Sequence, residues 1–298
     1  MDEPLWCAAL SAERSILLFH SRRRLGSANS KSKSMIEHIY IAGYRRDFYL
    51  TRLCVASIRY WYPQIPITFI KDYNSGDYDT SELEDWDVRL FPSAVKKFGY
   101  GYGKFEPLFL PERQQYLMLD SDTVLVGPVL DFLNQTNADF IIHPERSYYT
   151  YDLNLLKAFD PGFSAPDFTF NSGQYVATSG LLQRSDFERV LAWTEPRASL
   201  YPDIFKENDQ LLFNYLLFKG RAEGRFSVVC RNFYIWADGA IPILKLEMIR
   251  RRTSPAMVLH WAGYKSEDFS QMPRADILNF FRDYYLSRTT LASSKTSA

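Results

Sequence analysis

The chain reads Tyr116-Leu117-Met118-Leu119-Asp120-Ser121-Asp122-Thr123-Val124-Leu125-Val126 near its middle. An apolar run leads straight into two carboxylates separated by one residue, and a second apolar run follows. On a buried strand, this pattern carries both acids out at the carboxyl end of a sheet, where open α/β sheets bind their ligands. Paired carboxylate oxygens suit Mg²⁺ or Mn²⁺, and such an ion suits a diphosphate. The pattern therefore predicts an enzyme that acts on a phosphorylated substrate.

Strand and helix patterns alternate on both sides of this stretch. Short apolar runs predict strands at 38–42, 67–70, 87–91, 116–120, 140–142, 174–178 and 258–260. Apolar residues at helical spacing predict helices at 48–61, 104–110, 185–193, 208–218 and 275–286. This alternation indicates an α/β fold with a mixed, mainly parallel central sheet flanked by helices.

Composition excludes several classes of protein. Lys+Arg and Asp+Glu balance at 35 each, whereas a dedicated nucleic-acid binder usually carries a net basic charge. The three cysteines lie far apart, which indicates neither a zinc site nor a disulfide framework. No run of about 18 apolar residues predicts a transmembrane helix. We therefore expect a cytoplasmic protein without a membrane span, and peripheral membrane association stays open.

Residues 1–34 differ in composition from the rest of the chain. They hold a short apolar patch, a run of three arginines and a Ser/Lys-rich stretch. The patch is too short for a secretory signal, so we expect a disordered extension. Translation from Met35 or an arginine-rich organelle presequence are the alternatives. Residues 35–286 are expected to form a single domain, and 287–298 a flexible, Ser/Thr-rich tail.

Three downstream motifs extend the prediction of a phosphate-linked site. Phe170-Asn171-Ser172-Gly173 precedes a predicted strand, and its glycine allows the backbone to approach a ligand closely. Asn208-Asp209-Gln210, followed by Asn214, places an acid and amides at the start of a helix. His260-Trp261-Ala262-Gly263-Tyr264-Lys265 supplies a candidate metal ligand and a candidate phosphate-binding cation.

The order and spacing of the four motifs resemble the retaining glycosyltransferases of the GT-A fold, especially glycosyltransferase family 8. That family includes bacterial lipooligosaccharide galactosyltransferases and glycogenin. The resemblance extends from about Ile39 to Phe269. It implies a single GT-A domain (a Rossmann-like nucleotide-diphospho-sugar transferase). It also implies transfer of a hexose from a nucleotide sugar to a glycan or other hydroxyl acceptor. UDP-glucose and UDP-galactose are the expected donors, and GDP donors stay open.

The resemblance also implies roles for individual residues. Asp120, Asp122 and His260 match the family's ligands for Mn²⁺ (or Mg²⁺) beneath the donor diphosphate. Asp209 and Gln210 match the family's acid and amide at the donor sugar and its anomeric carbon, and so are the implied catalytic pair. Because Gln210 is a poor nucleophile, a same-face displacement through an oxocarbenium-like ion pair is our working hypothesis. The residues implied to bind the donor are Ala42, Tyr49, Lys104, Asp120, Ser121, Asp122, Asn171, Gly173, Gly263 and Lys265.

Three positions leave the resemblance open in detail. Lys265 comes one residue earlier than in the family's His-x-x-Gly-x-x-Lys-Pro-Trp pattern, so its contact with the diphosphate is unsettled. Tyr44 competes with Tyr49 as the residue that stacks on uracil, because the loop after Gly43 is longer than in the family. The loop Ser147–Phe168 is a candidate acceptor lid or an ordinary surface excursion.

Other functions compete with this interpretation. A phosphatase of the haloacid-dehalogenase type shares the Asp-x-Asp-Thr pattern, although Gly normally separates its second Asp from Thr and its later paired-acid motif is missing here. A sugar-nucleotide nucleotidyltransferase usually has a Gly-rich loop and a basic residue after the first strand. Ala42–Arg46 matches this pattern only weakly, with one glycine before two arginines. A catalytically inactive nucleotide-sugar-binding module on the same fold is the non-enzymatic alternative.

Overall fold

The carboxylate-bearing strand lies at the centre of a seven-stranded sheet. A computed structural model describes residues 35–99, 101–145, 151–206, 209–240 and 243–296 of the chain. Within them the strands of this sheet stand in the spatial order β12 (Val228–Cys230), β6 (Phe140–Ile142), β9 (Gln174–Thr178), β4 (Gln115–Asp120), β1 (Ile36–Tyr44), β2 (Ile67–Asp72) and β3 (Val88–Leu90).

The sheet is mixed and mainly parallel, as predicted. β1 pairs in parallel with both β2 and β4, β3 continues that direction beside β2, and β12 is parallel to β6. β9 alone runs antiparallel to its neighbours in this sheet, β4 and β6. Because antiparallel neighbours run in opposite directions, the residues that precede β9 lie beside the carboxyl end of β4.

A second sheet carries the predicted histidine to the same place. It consists of β13 (Tyr234–Trp236), β14 (Val258–His260) and β5 (Thr123–Leu125). β14 is parallel to β13 and antiparallel to β5, and His260 lies opposite Thr123. The apolar run after the Asp-x-Asp motif is therefore a strand that receives β14. Two further pairs are β7 (Pro144–Glu145) with β8 (Thr169–Phe170), and β10 (Leu191–Ala192) with β11 (Ala198–Ser199).

Helices cover both faces of the large sheet. The α-helices are α1 (Phe48–Trp61), α2 (Val129–Leu133), α3 (Leu153–Phe159), α4 (Arg184–Phe187), α5 (Pro202–Phe205), α6 (Asp209–Ala222), α7 (Leu246–Arg250) and α8 (Ala275–Thr296). Four 3₁₀ helices in the described residues span Arg45–Asp47, Ser81–Trp86, Tyr102–Phe109 and Phe269–Gln271. None of the helices in these ranges is both long enough and apolar enough to cross a membrane.

The core has two halves, one on each face of the large sheet. Leu117 and Leu119 of β4 pack into the cluster that contains α1 and α8, whereas Met118 packs with α6 into the other cluster. Side chains alternate between the faces of a strand, and both faces are covered here. This explains why β4 reads as a continuous apolar run rather than an alternating one.

The predicted strands are confirmed, and four predicted helices differ. The helix expected at 208–218 continues to Ala222. The helix expected at 185–193 ends at Phe187, because Leu191–Ala192 pairs instead with Ala198–Ser199. The helix expected at 104–110 is a 3₁₀ helix that contains Pro107, which cannot donate an α-helical hydrogen bond. α8 continues to Thr296 instead of ending at Leu286. The predicted extension at 1–34 lies outside the described residues, and the domain boundaries stay predictions.

Candidate active site

The end of β4 brings two of the four motifs together. Asp120 is the last residue of β4 and lies opposite Ala42 of β1. Its N–H donates to the carbonyl of Gly173 at 2.6 Å, and the next N–H, from Ser121, donates to the carbonyl of Ala42 at 3.0 Å. The backbone around the Asp-x-Asp motif is thus fixed from both neighbouring strands.

The fourth motif arrives through the second sheet. The N–H of Trp261 donates to the carbonyl of Asp122 at 3.0 Å, which places His260 beside the carboxylates. One ligand atom from each of Asp120, Asp122 and His260 lies within 4.8 Å of the other two. The His260 Nε2 atom is 3.2 Å from Oδ1 of Asp122. Two carboxylates and one imidazole are a donor set that suits Mn²⁺ or Mg²⁺, so these residues fit a divalent ion.

Gly173 leaves the space that this cluster needs. A Cβ atom at this position would lie 2.6 Å from Oδ2 of Asp120 and 2.9 Å from Cε1 of His260. Any larger residue would therefore push on two of the three candidate ligands at once. The N–H of Gly173 donates to Oδ1 of Asn171 at 2.7 Å, so the Asn171 side chain stabilises the turn that delivers the glycine.

Lys104 joins the metal cluster to the start of α6. Its Nζ lies 3.0 Å from Oδ1 of Asp120 and 2.7 Å from Oδ2 of Asp209, and its side chain is only 6% exposed. Burial opposes the charged ammonium, but Asp120 and Asp209 outweigh it and raise the pKa of Lys104. Lys104 therefore stays charged and neutralises two acids of the site.

Lys265 binds the other side of the cluster. Its Nζ lies 2.7 Å from Oδ2 of Asp122 and 2.7 Å from Oδ2 of Asp47. Burial by itself would raise the pKa of Asp122, but the interactions with His260 and Lys265 outweigh it and hold that pKa well below its usual range. Asp122 is thus an anion, as a metal ligand requires. The contact between Lys265 and a diphosphate stays a prediction.

The acid-and-amide motif begins α6 and faces the same space. Asp209 and Gln210 are both buried, and Gly101 approaches Asp209 so closely that a Cβ there would lie 2.2 Å from Oδ1. Asn214 has a different task. Its Oδ1 accepts from the N–H of Phe170 at 2.8 Å, and its Nδ2 donates to the carbonyls of Phe170 and Gln210 at 2.9 and 2.8 Å. Asn214 therefore ties β8 to α6, and Asn208 of this motif lies outside the described residues.

A cavity of about 350 Å³ brings most of the predicted site residues together. Its wall includes, among the predicted residues, Ala42, Lys104, Asp120, Ser121, Asp122, Asn171, Asp209, Gln210, His260, Gly263 and Lys265. Gly173 contacts the lining residue Asp120 through the backbone hydrogen bond given above. The predicted acceptor loop is helical at α3, and residues 147–150 of it lie outside the described residues.

Tyr44 and Tyr49 are separated by the structure. Tyr44 lines the cavity that contains the acid cluster. Tyr49 lies in a different cavity of about 380 Å³, where its ring packs 6.2 Å from that of Phe269. Of the two candidates for stacking on a base, the structure brings Tyr44 to the site and leaves Tyr49 outside it.

Asp47 is a site residue that the sequence analysis did not identify. It stands immediately before α1, a position where an acid is ordinarily interpreted as a helix cap. Its side chain makes no capping hydrogen bond, however, and binds Lys265. The only signal in the sequence was an acid after the first strand, which has no special spacing to the other motifs.

Structural comparison identifies the fold. The galactosyltransferase LgtC, solved with donor and acceptor sugar analogues, matches with a TM-score of 0.52 and 19% identity over 84% of this chain and 95% of that chain. The bifunctional glycosyltransferase WbbM, solved in its apo form, matches with a TM-score of 0.51 and 14% identity over 86% of this chain and 51% of that chain. The glycosyltransferase GlyE of Streptococcus pneumoniae matches with a TM-score of 0.50 and 17% identity over 88% of this chain and 64% of that chain.

These matches confirm the predicted GT-A fold of this chain. The aligned region spans 95% of LgtC but about half of WbbM and less than two thirds of GlyE. At identities below 20% the likeness establishes the fold, and function has to be argued from the site. No protein-family model matches the chain, and no curated protein sequence matches it either.

Proposed function

We propose that the protein is a metal-dependent retaining glycosyltransferase. It would move a hexose from a nucleotide-diphospho-sugar, with UDP-glucose or UDP-galactose as the expected donors, to a hydroxyl of a glycan or similar acceptor. One observation carries the proposal. Asp120, Asp122 and His260 meet at a cavity that is also lined by Asp209, Gln210, the buried Lys104 and the partly exposed Lys265.

The acid cluster is the expected holder of Mn²⁺ or Mg²⁺. When bound there, such an ion supplies Lewis-acid stabilisation of the negative charge that grows on a departing diphosphate. Lys104 and Lys265 keep the cluster of carboxylates from repelling an anionic substrate, because each ammonium pairs with two acids. Phosphate oxygens are compact anions that lysine ammonium groups bind well. Lys265, which is 36% exposed, is the better placed of the two to meet them.

The start of α6 is the expected binding place of the donor sugar. The Asp209 carboxylate is paired with Lys104 at 2.7 Å. This pairing suits it to accept hydrogen bonds from the hydroxyls of the sugar rather than to attack as a nucleophile. Gln210 is a neutral amide and a poor nucleophile. In the proposed reaction, the bond from C1 to the phosphate oxygen breaks with its electron pair on the oxygen. The acceptor oxygen bonds to C1 from the same face and gives its proton to that departing oxygen.

Two rival functions predict different chemistry from the same site. An inactive nucleotide-sugar-binding module would bind a donor without cleaving it. A phosphatase would cleave simple phosphate esters, for which a carboxylate of the site would have to act as the nucleophile on phosphorus. The pairing of Asp120 with Lys104 argues against nucleophilic attack by Asp120 on phosphorus, because the ammonium lowers the nucleophilicity of the carboxylate.

A panel of nucleotide sugars separates these cases. We expect thermal stabilisation by one class of donor in the presence of MnCl₂, and slow hydrolysis of that donor with release of the nucleoside diphosphate. Asp122→Ala should reduce the hydrolysis by at least about 100-fold, the scale at which removal of one electrostatic partner acts in enzymes. Gln210→Ala should lower turnover while the stabilisation by donor and MnCl₂ is retained. Undiminished turnover in Asp122→Ala would rule out the metal mechanism.

A further inference from the structure

The imidazole of His260 is held in an unusual way. A metal-binding histidine ordinarily donates its second ring N–H to a carboxylate, a carbonyl or water, and this bond fixes the plane of the ring. The His260 side chain is 2% exposed, and its Nδ1 has no hydrogen-bond partner among the described residues. Its Nε2 is the atom that lies near Asp122. Among the described residues, this ring is therefore held by packing and not by a hydrogen bond to Nδ1.

The indole of Trp236 lies flat against it. The two ring centroids are 4.9 Å apart, and the ring planes are inclined by only 17°. The pairing of β13 with β14 produces this stack, because Trp236 and His260 are register partners. The edge of the imidazole is limited by Gly173, where an added Cβ would lie 2.9 Å from Cε1.

Glu145 lies beside this stack. Burial raises the pKa of its carboxyl, and interactions with His260 and Trp236 act against that rise. Glu145 lies on β7 opposite Thr169 of β8, two residues before Asn171. Glu145 is therefore paired with the strand that leads into the proposed sugar-binding turn.

Resting on the proposed function, we infer that Trp236 is the positioning residue of the metal site. Trp236 keeps the imidazole plane of His260 turned toward Asp120 and Asp122 by stacking, where other proteins use a hydrogen bond to the second ring nitrogen. Loss of the indole frees the ring to rotate about its side-chain bonds. Loss of a group that orients a metal-binding histidine typically weakens metal affinity by about 10–100-fold.

The test uses MnCl₂ alone as the probe, with free Mn²⁺ measured by electron paramagnetic resonance in the full chain. Trp236→Ala should weaken Mn²⁺ binding by about 10–100-fold. Trp236→Phe keeps a ring over His260 and should stay within a few-fold of wild type.

Trp193→Ala is the matched control, since Trp193 is a half-buried tryptophan that packs on Arg197 and Phe109, away from the metal cluster. It should lower the thermal midpoint without changing Mn²⁺ affinity. A second readout needs no metal: the ring-carbon NMR signal of His260, assigned with His260→Asn among the four histidines of the chain. We expect one sharp signal in wild type and a broadened or doubled signal in Trp236→Ala.

The outcomes separate the two proposals. If wild type binds Mn²⁺, His260→Asn weakens it and Trp236→Ala does not, the positioning role is wrong and the metal site stands. If wild type binds no Mn²⁺, the proposed metal function fails. The positioning role is then decided by the NMR signal, and an equally sharp His260 signal in Trp236→Ala overturns it in either case.

Discussion

The ammonium nitrogen of Lys265 lies 2.7 Å from a carboxylate oxygen of Asp47. The two residues stand 218 positions apart in the sequence, one before α1 and the other after β14. The Asp47 side chain is 3% exposed and that of Lys265 is 36% exposed. This ion pair joins the last motif of the site to the segment between β1 and α1.

The first prediction concerns the cost of breaking this pair. Lys265→Ala leaves Asp47 buried with no cation, and removal of one partner of a buried ion pair is strongly destabilising. Because Lys265 is partly exposed, solvent reduces the cost, and we expect about 1–3 kcal/mol in urea unfolding. The double variant Asp47→Asn with Lys265→Ala should regain part of this loss. Equal stability of the single and double variants would show that Asp47 does not depend on Lys265.

The second prediction concerns Gly173. Gly173→Ala places a Cβ 2.6 Å from Oδ2 of Asp120, so the metal cluster must rearrange. We expect metal-dependent donor hydrolysis and Mn²⁺ affinity to fall by at least about 10-fold, as when the supporting groups of a metal ligand are disturbed.

The matched control is Gly162→Ala, whose added Cβ would meet only Oδ1 of Asp160 at 3.8 Å, an ordinary contact. This variant should behave as wild type in both assays. Wild-type Mn²⁺ affinity in Gly173→Ala would mean that the glycine serves the turn alone.

The third prediction decides between the two tyrosines. Tyr44 lines the central cavity and Tyr49 does not, so Tyr44→Ala should weaken binding of UDP, whereas Tyr49→Ala should leave it within a few-fold of wild type. Loss of aromatic stacking on a base costs about 1–3 kcal/mol, which corresponds to roughly 5–150-fold in affinity. Isothermal titration with UDP and MnCl₂ measures both variants. The reverse result would restore Tyr49 as the stacking residue.

The fourth prediction concerns pH. His143 accepts hydrogen bonds at Nδ1 from the N–H groups of Phe233 and Tyr234, and burial lowers its pKa to about 4. The unfolded chain, with an ordinary pKa near 6.5, binds the proton more readily between these values. The stability that His143 contributes is therefore complete above about pH 6.5, falls as the pH drops toward 4, and is constant below that.

His143→Asn supplies an amide oxygen as acceptor in place of Nδ1 and removes the titration. We expect the free energy of unfolding of wild type to fall, relative to this variant, by at most about 3 kcal/mol between pH 7 and pH 4. Urea unfolding at several pH values measures the difference. Parallel pH profiles for the two proteins would contradict the assignment to His143.

Local sequence patterns predicted six of the seven strands of the large sheet, β12 excepted, and most of the predicted site residues line one cavity. The continuous apolar run of β4 predicted a strand covered on both faces, and the carboxylates at its end predicted the position of the cavity. Asp47 could not be found in this way, since its partner is remote in sequence and its position is ordinary for a helix cap. The choice between Tyr44 and Tyr49 likewise depended on the path of one turn after β1, which spacing alone does not determine.

The helix predicted at 185–193 failed for a related reason. Its apolar spacing was adequate, but Leu191–Ala192 found a strand partner in Ala198–Ser199, and tertiary pairing outweighed local propensity. Trp236 was absent from the predicted site because the stack on His260 arises from the register of two short strands.

The hydrogen bonds of Asn214 have a consequence for protein engineering. They join the backbone of Phe170, one residue before Asn171, to the first turn of α6, which carries Asp209 and Gln210. The two segments that are proposed to bind the sugar are thus joined directly by hydrogen bonds. A graft that imports either segment from another transferase, in order to change which sugar is accepted, would break these hydrogen bonds. We expect only grafts that exchange both segments together to yield a folded site.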